Sequence, residues 1–215
     1  KFHSYSYSYV NRKEEVALFG TLTERTGYTV IHYDMPENKI AFQKDIDGVT
    51  TKEEYLLFDL FFAEGTYDGV FDAYFKKLAL PPLKIRHMAG YTSWYNYYGG
   101  ITEEILSRDI DGLATVKESA DIFQIDDGYQ TKTGDWTSVK KDLYPHGMNY
   151  LTEKIHRKGF KAGLWLAPFN AAKNSRVFAE HPEWFIKDEK GKYQLGSIAW
   201  GGAYTLDFYI KEASD

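Results

Sequence analysis

Over residues 1–66 the apolar and polar positions alternate with a period of two. Tyr5, Tyr7 and Tyr9 alternate with serines, and the run Phe2–Val10 predicts one strand. Tyr28–Tyr33 and Glu54–Phe62 predict two more, with weaker candidates at Val16–Leu22 and Lys39–Gln43. Turn residues separate the runs at Arg25–Gly27, Pro36–Asn38 and Asp47-Gly48. The pattern predicts the last portion of an antiparallel β-sandwich over residues 1–66, its exposed tyrosines serving packing.

At residue 67 the period changes. Tyr67, Val70, Phe71, Tyr74, Phe75 and Leu78 recur at helical spacing, so an amphipathic helix is expected over 67–79. Leu80-Pro81-Pro82 ends it, and residues 67–83 read as a connecting helix and linker. From residue 84 strands and helices alternate. Met88–Trp94 predicts a strand, Thr102 caps a helix that runs to about Ala120 across Asp111-Gly112, and Ile122–Ile125 predicts the second strand. Gly147–Lys158 follows as a helix with Leu151 and Ile155 on one face and Gly159 as its stop. Ala162–Leu166 is the third strand, Ser175–Glu180 a short helix, and Ala203–Asp207 a short fourth strand. Alternating β and α predicts an α/β unit with parallel strands, in which chemistry gathers at the strand C-terminal ends.

Each of the first three strands ends in notable residues: Ser93-Trp94-Tyr95, Asp126-Asp127, and Trp165. Gly128 lets the chain turn after the two acids. Neighbouring buried carboxylates repel each other and lose hydration, so a chain tolerates them where a ligand supplies hydroxyl donors or a cation. A sugar suits such a mouth, because carboxylates accept from hydroxyls and indole faces cover C–H patches. Each feature has a plainer reading. Asp-Asp-Gly alone is an ordinary polar turn, a lone Trp is more often core, and Trp136 and Trp184 could each plug a loop. His146 and His156 lack ligand spacing, so no metal is expected. No nucleophile elbow, phosphate loop or dinucleotide fingerprint is present, and no cofactor is expected.

Composition narrows the classes. The 215 residues carry a formal net charge of -5 with dispersed Lys and Arg, which argues against nucleic acid. Hydrophobic content of 43% supports a packed core. Cys is absent, which removes disulfides and thiolate metal sites and accords with a cytoplasmic location. No apolar run reaches the length of a membrane span. Aromatics are 17% of residues, which fits both a β-rich core and a sugar binder. Lys1 is not Met, and the chain stops at Asp215 in what reads as a helix start, so a piece of a longer protein is expected.

The segments Gly90–Tyr95, Phe123–Tyr129, Gly134–Trp136, Gly159–Phe169 and Ser175–Trp184 together resemble α-galactosidases of glycoside hydrolase family 36, the melibiases. The likeness covers residues 88–210 in order. It implies a (β/α)8 TIM barrel whose first part is residues 84–215, and a retaining mechanism with two carboxylates about 5–5.5 Å apart. In that family the nucleophile sits in a Lys-x-Asp motif at the end of the fourth main barrel strand, with the acid/base Asp later still. Both are expected beyond Asp215, so no catalytic residue is assigned within the chain. The resemblance gives Asp126 and Asp127 the role of binding the galactose hydroxyls at C4 and C6. Trp94 and Trp165 match pocket-lining positions, with Tyr95 their neighbour. The third strand reads Leu-Trp-Leu-Ala-Pro-Phe where many members have Trp-x-Glu-Pro-Glu, which suggests a different subgroup. Gly196–Ala203 matches nothing in the family's pattern, and Asp207 reads as structural.

The expected function is hydrolysis of terminal α-D-galactosyl residues in oligosaccharides by the full-length protein, this chain alone being inactive. Three other readings stand beside it: galactosyl transfer of the raffinose-synthase type, cleavage of α-N-acetylgalactosaminides, and a non-catalytic sugar-binding module. A structural β domain with an incidental tail leaves the three aligned strand ends unexplained. Exposed strand edges of a partial barrel predict association into a homo-oligomer.

Overall fold

The computed structural model describes residues 1–25, 27–46, 48–84 and 87–214, with the backbone alone for residues 117–119. Thr26 and Asp47, in two of the expected turns, and Ile85 and Arg86, after the linker, lie outside the described residues. The chain divides into two units, Lys1–Lys84 and Ile85–Asp215.

The first unit holds strands β1 (Phe2–Tyr5), β2 (Tyr7–Arg12), β3 (Glu15–Thr21), β4 (Thr29–Asp34), β5 (Lys39–Lys44) and β6 (Leu60–Gly65), then helix α1 (Tyr67–Leu78). They form two antiparallel sheets, ordered β1-β4-β5 and β2-β3-β6. The tyrosine–serine run is therefore two strands, not one. Ser6 breaks it at φ 62°, and the chain passes there from one sheet to the other. Alternation continues across the break, so periodicity alone does not reveal it. The expected strand Glu54–Phe62 begins later, at Leu60. Thr21 ends β3 opposite Leu60, and the pairing goes one step further only through the Leu22 N–H on the Asp59 carbonyl.

Strand β3 is buried on both faces, as its period of two allows. Val16 and Leu18 pack with Val70 and Tyr74 of α1. Phe19 joins Ile31, Tyr33 and Phe42 of the other sheet. The Tyr74 hydroxyl donates to the Thr21 carbonyl at 2.7 Å. Helix α1 carries Asp68 in its first turn and Lys76 and Lys77 in its last, signs that suit the helix dipole. It ends at Ala79 in the left-handed region.

The second unit opens with β7 (Gly90–Thr92), α2 (Trp94–Tyr97), α3 (Glu103–Leu113), β8 (Ile122–Ile125), α4 (Gly147–Arg157) and β9 (Lys161–Leu164). Strands β7, β8 and β9 pair in parallel, in that order. The Thr102 hydroxyl caps α3 by accepting from the Ile105 N–H. That helix is shorter than its pattern predicts, and residues 114–119 are an irregular 3-10 segment with a kink at Val116. After Gly112 the Thr115 hydroxyl takes the Gly112 carbonyl, in competition with a helical N–H. Leu106 and Ile110 of α3 and Leu151 and Ile155 of α4 pack with Phe123 and Ile125 of β8, and these four are fully buried. Each such side chain contributes roughly 1.5–3 kcal/mol relative to exposure. Both helices thus cover the Phe123–Ile125 face of the sheet.

Beyond β9 come β10 (Asn170–Ala172), α5 (Arg176–Glu180), β11 (Leu195–Ser197) and β12 (Ala203–Thr205). The expected fourth strand does exist at β12, but it does not extend the parallel series. It is the centre of an antiparallel sheet ordered β10-β12-β11. No helix among the described residues is long and apolar enough to cross a membrane.

Candidate functional site

Parallel register brings three strand ends to one line. Thr92 pairs with Gln124, and Gln124 with Gly163. The next residues leave the sheet together. The Ser93 N–H donates to the Gln124 carbonyl at 3.3 Å, and the Trp165 N–H to the Ile125 carbonyl at 2.9 Å. The Ser93 hydroxyl, fully buried, accepts from the Asp126 N–H at 3.0 Å. A cleft of about 460 Å³ opens at this line, bordered by Trp94, Tyr95, Asp126, Asp127, Trp165 and Trp200. All five residues singled out from the sequence lie on it. Tyr95 is the most open of them, 84% exposed, and the two acids the most buried, at 7% and 9%.

The two acids are held by hydrogen-bond donors. Asp126 Oδ2 accepts from the Thr92 hydroxyl and the Gln124 amide, both at 2.9 Å. Its Oδ1 accepts from the Asp127 N–H at 2.8 Å. Asp127 Oδ1 accepts from the Gln130 amide at 2.6 Å, and Oδ2 from the Trp200 indole N–H at 2.8 Å. Among the described residues no ion pair reaches either acid. A carboxylate offers about four acceptor sites. Three are taken on Asp126 and two on Asp127, so Asp127 keeps more capacity for a ligand's hydroxyls.

Gly128 makes the turn possible. Its φ is +124°, and a Cβ there would stand 2.6 Å from the Gly99 carbonyl oxygen. Lys140 then ties the turn down, its ammonium donating to the Gly128 carbonyl at 2.8 Å. Behind it the buried Tyr129 hydroxyl reaches the Trp165 carbonyl at 3.3 Å. Burial, and then the charge of Asp127, push this phenol up to about 12.

Other sequence candidates fall elsewhere. Asp135 of Gly134-Asp135-Trp136 accepts from the Arg176 and Val177 N–H groups at the start of α5, so it anchors that helix. Trp136 meets Trp165 edge to face at 5.9 Å and packs against the buried core rather than lining the cleft. Trp184 stacks on His181 at 3.8 Å, away from the cleft lining. His146 pairs through Nδ1 with Glu103 at 2.6 Å. Among the described residues no group of three or more His, Cys, Asp or Glu could hold a metal ion. Asp207 accepts from the Tyr209 N–H in a turn, as a structural residue would. One Lys-x-Asp triplet does occur before Asp215, at Lys140-Lys141-Asp142. It lies in a turn rather than at a strand end, and its lysine is the one bound to Gly128.

Trp200 is the residue that sequence reasoning missed. It lies in Gly196–Ala203, with no periodicity and no family likeness to draw attention to it. The signal available was an indole between a short strand and the Gly201-Gly202 pair.

The melibiase family pattern matches residues 94–213, more than half of the chain, and the matched span contains Trp94, Tyr95, Asp126, Asp127, Trp165 and Trp200 of the cleft. The chain belongs to the melibiase family. It is 28% identical over 130 residues to the α-galactosidase Mel36A of Lactobacillus acidophilus, a match covering 57% of the chain and 17% of that protein. It is 35% identical over 80 residues to an A type blood α-D-galactosamine galactosaminidase of Flavonifractor plautii, covering 35% of the chain and 7% of that protein. Among solved structures, the α-galactosidase TtGalA of Thermus thermophilus, in complex with p-nitrophenyl α-D-galactopyranoside, aligns at a TM-score of 0.78 and 29% identity. That alignment covers 98% of this chain and 40% of the Thermus chain. The chain thus spans less than half the length of each of these relatives.

Proposed function

We propose that this chain supplies the sugar-recognising wall of a full-length α-galactosidase that hydrolyses terminal α-galactosides of the melibiose and raffinose type. The observation that carries this is the pair of buried acids, Asp126 and Asp127, set between Trp94 and Trp165 at aligned strand ends. On this reading β7, β8 and β9 are the first three strands of a (β/α)8 barrel. Residues 1–66 are then the end of the N-terminal β-sandwich, 67–83 the connector, and 84–215 the barrel's first part. The likeness to the Thermus enzyme, also solved in complex with stachyose, supports an α-galactoside substrate. Asp126 and Asp127 take the hydroxyls at C4 and C6, Trp94 and Trp165 cover the apolar side of the ring, and Tyr95 borders it. An epimer that fails to satisfy a buried carboxylate is rejected because the unpaired group stays costly. The nucleophile and the acid/base belong to the remainder of the enzyme.

The test is release of nitrophenol from p-nitrophenyl α-galactoside by the full-length protein, with the 215-residue chain alone inactive. A full-length protein that leaves this substrate intact overturns the reading. The 35% identity to a galactosaminidase favours a second reading, cleavage of α-galactosaminides. Comparing the two nitrophenyl glycosides decides between them, and adding sucrose as acceptor detects galactosyl transfer. The reading includes a cytoplasmic enzyme, checked by cell fractionation. For the 215-residue chain alone it also includes self-association through exposed strand edges, where Leu164 of β9 is exposed, checked by light scattering.

A further inference from the structure

Trp200 holds an unusual place. Its backbone sits at φ 56° and ψ 27°, a left-handed conformation that a bulky residue keeps only when its surroundings hold it there. Two contacts do so. The indole N–H donates to Asp127 Oδ2 at 2.8 Å, and the ring lies 5.9 Å from that of Trp165. On the far side a polar recess of about 210 Å³ contains Gln130, Lys132 and Asn174, and Trp200 and Asp127 border both spaces. The indole is therefore a partition between cleft and recess.

Asp127 depends on this contact more than Asp126 does. Asp126 is fixed by three donors at the aligned strand ends, Thr92 of β7, Gln124 of β8 and the Asp127 backbone N–H. Asp127 has one donor from its own turn, Gln130, and one from Trp200, 73 residues on. The terminal torsion of an aspartate is broad, so a single donor on one oxygen leaves its plane poorly set. A second donor on the other oxygen sets it.

We propose that Trp200 is a positioning residue for sugar recognition: its indole N–H fixes the Asp127 carboxylate plane so that the remaining acceptor sites face the cleft. This rests on the galactoside reading of the cleft.

The experiment is a double-mutant cycle in the full-length enzyme with p-nitrophenyl α-galactoside. Trp200→Phe keeps a ring and removes the donor. It is expected to lower kcat/KM about tenfold, mainly through KM, the size of one charge-assisted hydrogen bond. In an Asp127→Asn background the same change is expected to alter kcat/KM less than about twofold, because the two residues act as a unit. Equal losses in both backgrounds, or no loss beside a native Asp127, overturn the proposal. The indole proton resonance of Trp200, assigned by its disappearance in Trp200→Phe, gives a readout independent of turnover. Asp127→Asn is expected to shift it, and an unmoved resonance overturns the proposal whatever the activity. Failure of the wild-type enzyme to cleave the galactoside defeats the functional reading instead, so the two failures are distinguishable.

Discussion

The two units use the same aromatic wealth differently. In Lys1–Lys84 rings meet rings: Tyr7 packs on Phe71, Tyr74 and Phe75, and Tyr9 on Tyr67 and Phe71. Three of the described Trp residues instead stand at the strand-end cleft, where Trp200 also donates to a carboxylate. Aromatic content therefore does not mark a binding surface. The proposed sugar cleft is distinguished instead by where its aromatics stand, at strand ends beside two buried acids.

That contrast can be broken by experiment. Asp127→Ala in the full-length enzyme is expected to reduce kcat/KM for the galactoside about a hundredfold or more, with a melting temperature near that of wild type. A large melting loss without a specific kinetic loss would make the acid structural. Phe71→Ala, at the centre of the ring cluster in the first unit, should do the reverse. Calorimetry should show a loss of about 2 kcal/mol or more, with KM unchanged. Tyr74→Phe deletes only the hydroxyl bonded to Thr21, and about 1 kcal/mol is expected in a denaturant titration.

The smallest effect is alkaline. The Tyr129 phenol is held at about 12 by burial and by Asp127, above its ordinary value of 10. A raised value in the folded state means that the protonated form stabilises the fold below pH 10, and that this stability is lost as pH rises toward 12. Tyr91 and Tyr144 are raised in the same direction, again mainly by burial. Tyr129→Phe should therefore flatten the fall in melting temperature over pH 10–12 without abolishing it.

Much of this was legible from the chain. An apolar run stopped by Asp-Asp-Gly located β8 and the acids to the residue, because strand, carboxylates and obligatory glycine are adjacent in sequence. The aligned ends of β7 and β9 followed from parallel pairing. What escaped was non-local or aperiodic. Trp200 meets Asp127 across 73 residues through an irregular loop, and no local pattern encodes that. The break at Ser6 hides inside an unbroken alternation, since one left-handed residue changes the strand's sheet without changing its period. The antiparallel setting of β12 was hidden because three residues of strand look alike in either direction.

Ser6 has a consequence for how the first unit comes apart. Its N–H donates to Thr29 and its carbonyl accepts from Thr21, so one residue is bonded to both sheets at once. Neither sheet can shed its N-terminal edge without loosening the other. In native-state hydrogen exchange, β1 and β2 should therefore open together with a single free energy, as one cooperative unit rather than as two fraying edges.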